Sequence, residues 1–185
     1  MARSCGWWVY IVYLPIFAIE AGYSDKLGGV MLSVSNAFLF LTPFMLKWMK
    51  RHSVRQAVRL GFAVSAVCFV LASVIPIVPQ LVLLLLVTGT LFLVLLDVSA
   101  GLPFLMAVKP GERSEMSAVY ASYRDVSGIL TPGIARTVLL FGPVSTVFAV
   151  TGLALGVVFI LAGKLHPRLG QDRSMGRTQA ERRAA

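Results

Sequence analysis

Charge is what this sequence has least of. Asp, Glu, Lys and Arg make up 14% of its 185 residues, against 57% hydrophobic, where a water-soluble domain carries roughly a quarter charged residues. With a mean hydropathy of +0.81, this scarcity excludes an ordinary soluble enzyme domain. Histidine is rarer still. The only two, His52 and His166, fall in polar segments and leave a serine nucleophile within an apolar segment without a base. No Gly-x-Ser-x-Gly or Gly-rich phosphate loop occurs either. The two cysteines, Cys5 and Cys68, fall in or at the edge of different apolar segments. They offer neither a disulfide framework nor a metal-ligand spacing and are read as small apolar residues. An aspartyl site needs two carboxylates sharing one proton. Asp97 and Asp125 are the pair available, but Arg124 beside them favours ion pairing. The chain is therefore read as not an enzyme, with no cofactor and no metal.

What the sequence does contain is apolar runs of about twenty residues separated by short polar gaps, the length a helix needs to cross a bilayer. Six spans are predicted, at about 5–21, 27–48, 59–78, 80–106, 114–141 and 144–165, giving an all-α polytopic membrane bundle over 1–165. From 166 to 185 the composition turns basic and polar, with too little apolar surface to offset the entropy of ordering, and a disordered tail is expected. A signal peptide competes for the first span. Trp7, Trp8 and Pro15 interrupt its apolar core, however, and no small-x-small cleavage site precedes Gly22.

The net charge of +9 raises nucleic acid as a partner until its placement is read. Lys47, Lys50, Arg51, Arg55 and Arg59 share one gap, Lys109 and Arg113 a second, and six cations from Lys164 to Arg183 close the chain. The gaps between hold a single cation, Lys26. Alternation of this kind marks the basic gaps as cytoplasmic, so both termini are expected in the cytoplasm of a plasma (inner) membrane protein. The tail has no interleaved aromatics, and no nucleic-acid partner is expected.

Small and polar residues recur at helical spacing. Gly29, Ser33 and Asn36 line the second span, Gly61, Ser65, Cys68 and Ala72 the third, and Gly152 and Gly156, with Ser145 and Ala149, the sixth. Each stripe is expected to pack on a neighbouring helix rather than face lipid. Thr42–Pro43 and Pro132–Gly133 are sites where a helix can bend.

Ionisable residues inside a span are costly enough to be functional candidates. Asp97 in the fourth span and Arg124 in the fifth lie about fourteen and thirteen residues from a loop centred near Gly111. Antiparallel helices would bring them to similar depth, about 20 Å from that loop. A buried ion pair that fixes helix packing and a charge relay or substrate contact both fit this spacing. Asp125 lies about 100° around the helix from Arg124, so both cannot point equally well at the fourth span and one of the two is expected to face another helix. Arg136 is close enough to the outer boundary to snorkel, with Glu20 and Asp25 as available partners.

Three segments together carry a resemblance: Lys47-Trp48-Met49-Lys50-Arg51-His52 after the second span, Lys109-Pro110-Gly111-Glu112-Arg113-Ser114, and Ala121-Ser122-Tyr123-Arg124-Asp125-Val126-Ser127-Gly128. To these are added Glu20-Ala21-Gly22-Tyr23-Ser24, the paired Gly28-Gly29, and Arg124 followed by Gly128 and Pro132. The chain resembles, over nearly its whole length, the C-terminal half of a major facilitator superfamily transporter. The resemblance implies that the spans correspond to helices seven to twelve of a protein whose halves enclose a substrate cavity. It adds Tyr10, Tyr13 and Thr90 to Asp97, Arg124 and Asp125 as candidates for substrate or ion coupling. It also implies a second six-helix half as partner, whether another copy or a separate chain, beside the lipid bilayer and a small solute. The first six helices of the family pattern are absent, which fits a half-size protein, a fragment or a truncated reading frame. A membrane assembly subunit that transports nothing alone is the alternative expectation.

Overall fold

The computed structural model describes residues 2–107 and 113–163. Seven α-helices and one short 3-10 turn account for nearly all of them: α1 (Ala2–Glu20), α2 (Asp25–Ala37), the turn (Phe38–Leu41), α3 (Thr42–His52), α4 (Val54–Val74), α5 (Pro79–Ala107), α6 (Arg113–Leu139) and α7 (Val144–Ala162). No strand occurs among the described residues. The expected tail at 166–185 and the loop centred near Gly111 lie outside them.

Five helical stretches are long and apolar enough to cross a membrane: Ala2–Glu20, Lys26–Met49, Val54–Val74, Pro79–Ser99 and Val144–Ala162. The expected fifth span is present as the long helix α6 but is not among the five. Arg124, Asp125 and Arg136 lie along it, interspersed with serine, threonine and glycine, and they dilute its apolar character.

The second span is one path of two helices, and proline chemistry explains the joint. Pro43 has no N–H to give the carbonyl of Leu39 four residues earlier. The Thr42 hydroxyl donates to that carbonyl instead, at 2.6 Å, and the backbone tightens into the 3-10 turn before α3 begins. One residue then separates α3 from α4. Ser53 takes φ 144° and ψ 151°, a region that side chains other than glycine rarely occupy. Its hydroxyl accepts the Gln56 N–H at 3.3 Å, so the strained residue also caps α4. This cap places the start of α4 at Val54, before the expected Arg59. Its end at Val74 falls just ahead of Pro76.

The core is built on α4, which packs most extensively on α5 and α7. Its small residues make this possible. A Cβ on Gly61 would meet Leu96 Cγ at 2.7 Å, and one on Gly89 would meet Cys68 Cβ at 3.2 Å. The Ser65 hydroxyl donates to the Gly89 carbonyl at 3.0 Å. On the other side a Cβ on Gly152 would come within 2.7 Å of Val70 Cγ2 and 2.8 Å of Val70 N. The α4 and α7 stripes thus meet neighbours at near-backbone distance, as small-residue packing requires. Phe17, Phe69 and Phe148 fill the adjoining space with edge-to-face contacts at 5.9 and 6.4 Å.

The second-span stripe is corrected by one residue. Gly29, Ser33 and Asn36 are exposed, and the latter two bond back to their own helix at Gly29 and Leu32 carbonyls. Gly28 and Ser35 face inward instead: a Cβ on Gly28 would meet Pro15 Cβ at 3.0 Å, and Ser35 is buried. The register is set by the fit of Pro15 and by the Tyr10 hydroxyl, both on α1.

Candidate functional site

Helices α1 and α5 run past one another in a register that can be followed residue by residue. Arg3 meets Asp97, a Cβ on Gly6 would meet Leu93 at 3.2 Å, and Tyr10 meets Thr90. Steps of three to four residues up α1 match equal steps down α5, the pattern of an antiparallel pair. Two of these rungs are polar.

The first is the charged rung. Arg3 Nη1 lies 2.8 Å from Asp97 Oδ1, and Arg124 Nη2 on α6 lies 3.8 Å from Asp97 Oδ2. The side chain of Arg3 is 10% exposed, that of Asp97 35% and that of Arg124 58%. The carboxylate therefore has a close, buried cation on one side and a looser, accessible one on the other. At such distances a low dielectric strengthens the inner pair, while the outer pair is screened and easily exchanged.

The second rung lies two turns away, about 10 Å along either helix. Ser35 donates to the Met31 carbonyl at 2.9 Å, and the Tyr10 hydroxyl is hydrogen-bonded to Ser35 Oγ with the same carbonyl at 3.3 Å. Thr90 donates to the Leu86 carbonyl at 2.8 Å and also contacts the Tyr10 phenol. All three side chains are sealed from the surface. Tyr13 is buried in the same apolar core. The candidates thus divide: Asp97 and Arg124 come together at an accessible cluster, whereas Tyr10 and Thr90 are buried where α1 meets α2 and α5, and Tyr13 is buried in the core.

Helix α6 packs on α1 and α7, so Arg124 reaches Asp97 from the α1 side. Gly128 lets α6 approach closely, since a Cβ there would meet the Trp8 ring at 3.1 Å. Ser127, Thr131 and Ala135 form its buried face. Asp125 and Arg136 are exposed. Among the described residues Arg136 makes no ion pair with Glu20, and the side chain of Asp25 lies outside the description. No group of three His, Cys, Asp or Glu able to hold a metal ion occurs among the described residues.

The residue of this cluster that the sequence alone did not single out is Arg3. A signal for it exists: Arg3, Trp7 and Tyr10 follow the i, i+4, i+7 spacing of one helix face, and the Trp7 and Tyr10 rings lie 6.3 Å apart. A cation in line with a buried tyrosine points inward. Compared with family models, with curated proteins and with solved structures, the chain matches none. The site therefore has to be interpreted from its own chemistry.

Proposed function

We propose that this chain is one half of a secondary transporter of the major facilitator kind, moving a small solute only when a second six-helix bundle completes the cavity. The observation that carries the reading is the Asp97 cluster, a carboxylate held between a buried arginine and an accessible one, contributed by three helices. Ionisable groups in apolar helices are costly and are retained where they pair or line a pathway. Protonating Asp97 removes the charge that holds Arg124 and frees that guanidinium to meet an anionic group of the solute. Arg3 anchors the carboxylate on the closed side.

The exposed polarity of α6 supports the partner. In this reading α6 is the fifth of six crossing helices, and Arg124 and Asp125 face protein or water within the assembled pair rather than lipid. The outward Gly29, Ser33 and Asn36 face of α2, which also packs on α1, is a second exposed face open to such a partner. The gathering of Lys47, Arg51, Arg55 and Arg59 at one end supports a cytoplasmic placement for that end of the bundle in a plasma membrane.

The test is reconstitution into liposomes loaded with a pH-sensitive dye, challenged with a panel of sugars, amino acids and organic anions and cations. Solute-dependent proton flux that disappears in Asp97→Asn is the expected result. A stable two-bundle complex with no flux for any solute would reject transport in favour of a membrane assembly subunit.

A further inference from the structure

At the end of the bundle where basic residues gather, two neighbouring cavities share lining residues, and the second adds polar side chains to an otherwise apolar wall. One, of about 260 Å³, is walled by Leu41, Phe44, Met45, Leu91, Phe92 and Leu95 from the second span and α5. The other, of about 360 Å³, is walled by Gln56, Arg59, Ala63 and Phe159 from α4 and α7. Trp48 and Leu60 line both, so the two spaces adjoin at these side chains, with Gln56 and Arg59 at one end of the groove they outline.

Arg59 is placed for a ligand. Its guanidinium lies over the Phe159 ring, 5.6 Å from the centroid, a contact that orients the cation without neutralising it. Among the described residues it has no carboxylate within ion-pair distance. Arg55, one turn earlier, is already engaged, donating from Nη2 to the Gly163 carbonyl at 2.6 Å. Arg59 sits five residues into α4, about 8 Å along the helix from its start. That is the depth of a headgroup if the basic end marks the bilayer surface. Trp48 at the junction is the amphipathic ring favoured at that level, and exposed Lys47 and Arg51 lie on the neighbouring α3.

We infer that this groove binds one anionic phospholipid, its phosphate at Arg59 and Gln56 and the first part of an acyl chain between α3 and α5. Charge complementarity selects the occupant. A zwitterionic lipid gains the apolar contact but places a second cation beside Arg59, and a docking helix from another protein has no need of a cationic end. The inference does not depend on transport, since lipid occupancy can be read in a chain that moves no solute.

The experiment uses Trp48 as reporter. In a Trp7→Phe, Trp8→Phe chain placed in phosphatidylcholine vesicles, quenching of Trp48 by brominated phosphatidylglycerol is compared with quenching by brominated phosphatidylcholine. An anionic preference of about five-fold is expected from one basic contact at the surface. It should fall to about one-fold in Arg59→Gln, persist in Arg59→Lys, and change less than two-fold in Arg51→Gln, since Arg51 lies outside the groove. Native mass spectrometry of the otherwise unmodified chain, with and without Arg59→Gln, gives the same comparison from lipid adducts without disturbing Trp7 or Trp8. Equal quenching by both lipids in the parent chain would overturn the inference. So would an anionic preference that survives Arg59→Gln, or one lost equally in Arg51→Gln, which would mean diffuse surface attraction. Failure of both lipids to quench would also overturn it, and would mean that protein, such as a second copy, fills the groove.

Discussion

The α4, α5 and α7 core and the pair α2 and α6 that pack on α1 are made of similar residue types, but α2 and α6, which bury Gly28 and Gly128 against α1, also turn a second set of small and polar residues outward. In the core, glycine, serine and alanine are spent inside: Gly61, Gly89 and Gly152 each have a neighbour where their Cβ would be. On the flanks, Gly29 and Gly133 have nothing within 4 Å, and Ser33, Asn36, Arg124 and Asp125 are exposed. Small and polar residues on a membrane helix mark contact surfaces. In the core they are buried within the chain; on the flanks they are left exposed, and under the proposed function those exposed faces are where a second bundle would bind.

The largest break in this comparison is expected from Gly152→Val. The new Cβ would collide with the backbone of Val70 as well as its side chain, so α4 and α7 must separate, at a cost of about 3 kcal/mol measured by unfolding in detergent. Gly29→Val, in open space, should stay within about 0.5 kcal/mol on the same assay. Next is Asp97→Asn, which leaves Arg3 buried without its anion. Breaking a fully buried pair costs about 3–5 kcal/mol. Partial exposure of Asp97 reduces the expected loss to about 2 kcal/mol, and Arg3→Gln combined with Asp97→Asn should cost less than the two single changes added. Arg124→Gln, removing a cation that is more than half exposed and 3.8 Å away, should cost under about 1 kcal/mol while sharply reducing any solute flux. One effect has the opposite sign. The Thr131 hydroxyl is buried without a hydrogen-bond partner, so Thr131→Val should stabilise the chain by about 1 kcal/mol.

How much of this was legible in the sequence depended on whether the deciding information was local. The helical paths were, because apolar run length and the position of Pro43 and Pro76 act within a few residues. The stripes on α4 and α7 were as well, since glycine and serine at i, i+4 spacing admit one close-packing face. For α2 the adjacent Gly28 and Gly29 offered two faces. The choice fell to Pro15 and Tyr10 on another helix, which no reading of α2 alone contains. Asp97 was identified from its place in an apolar run, and distance from a loop brought Arg124 to its depth. Depth says nothing of direction, and the closer partner proved to be Arg3, 94 positions earlier in the chain. The accessible half of the cluster was thus legible and the buried half was not. Likewise the apolar groove beside Arg59 draws its walls from four helical segments, and no one of them signals it.

The central claim is that the polar flanks belong against a second bundle. The direct measurement is the protein mass of the purified chain in nanodiscs, with lipid and scaffold mass subtracted. The account expects a species well above the 20.0 kDa of one chain, near twice that value if the partner is another copy. It also expects Asp125→Leu to shift the population toward single chains. A homogeneous, stable 20.0 kDa species with Arg124 and Asp125 open to lipid would contradict it.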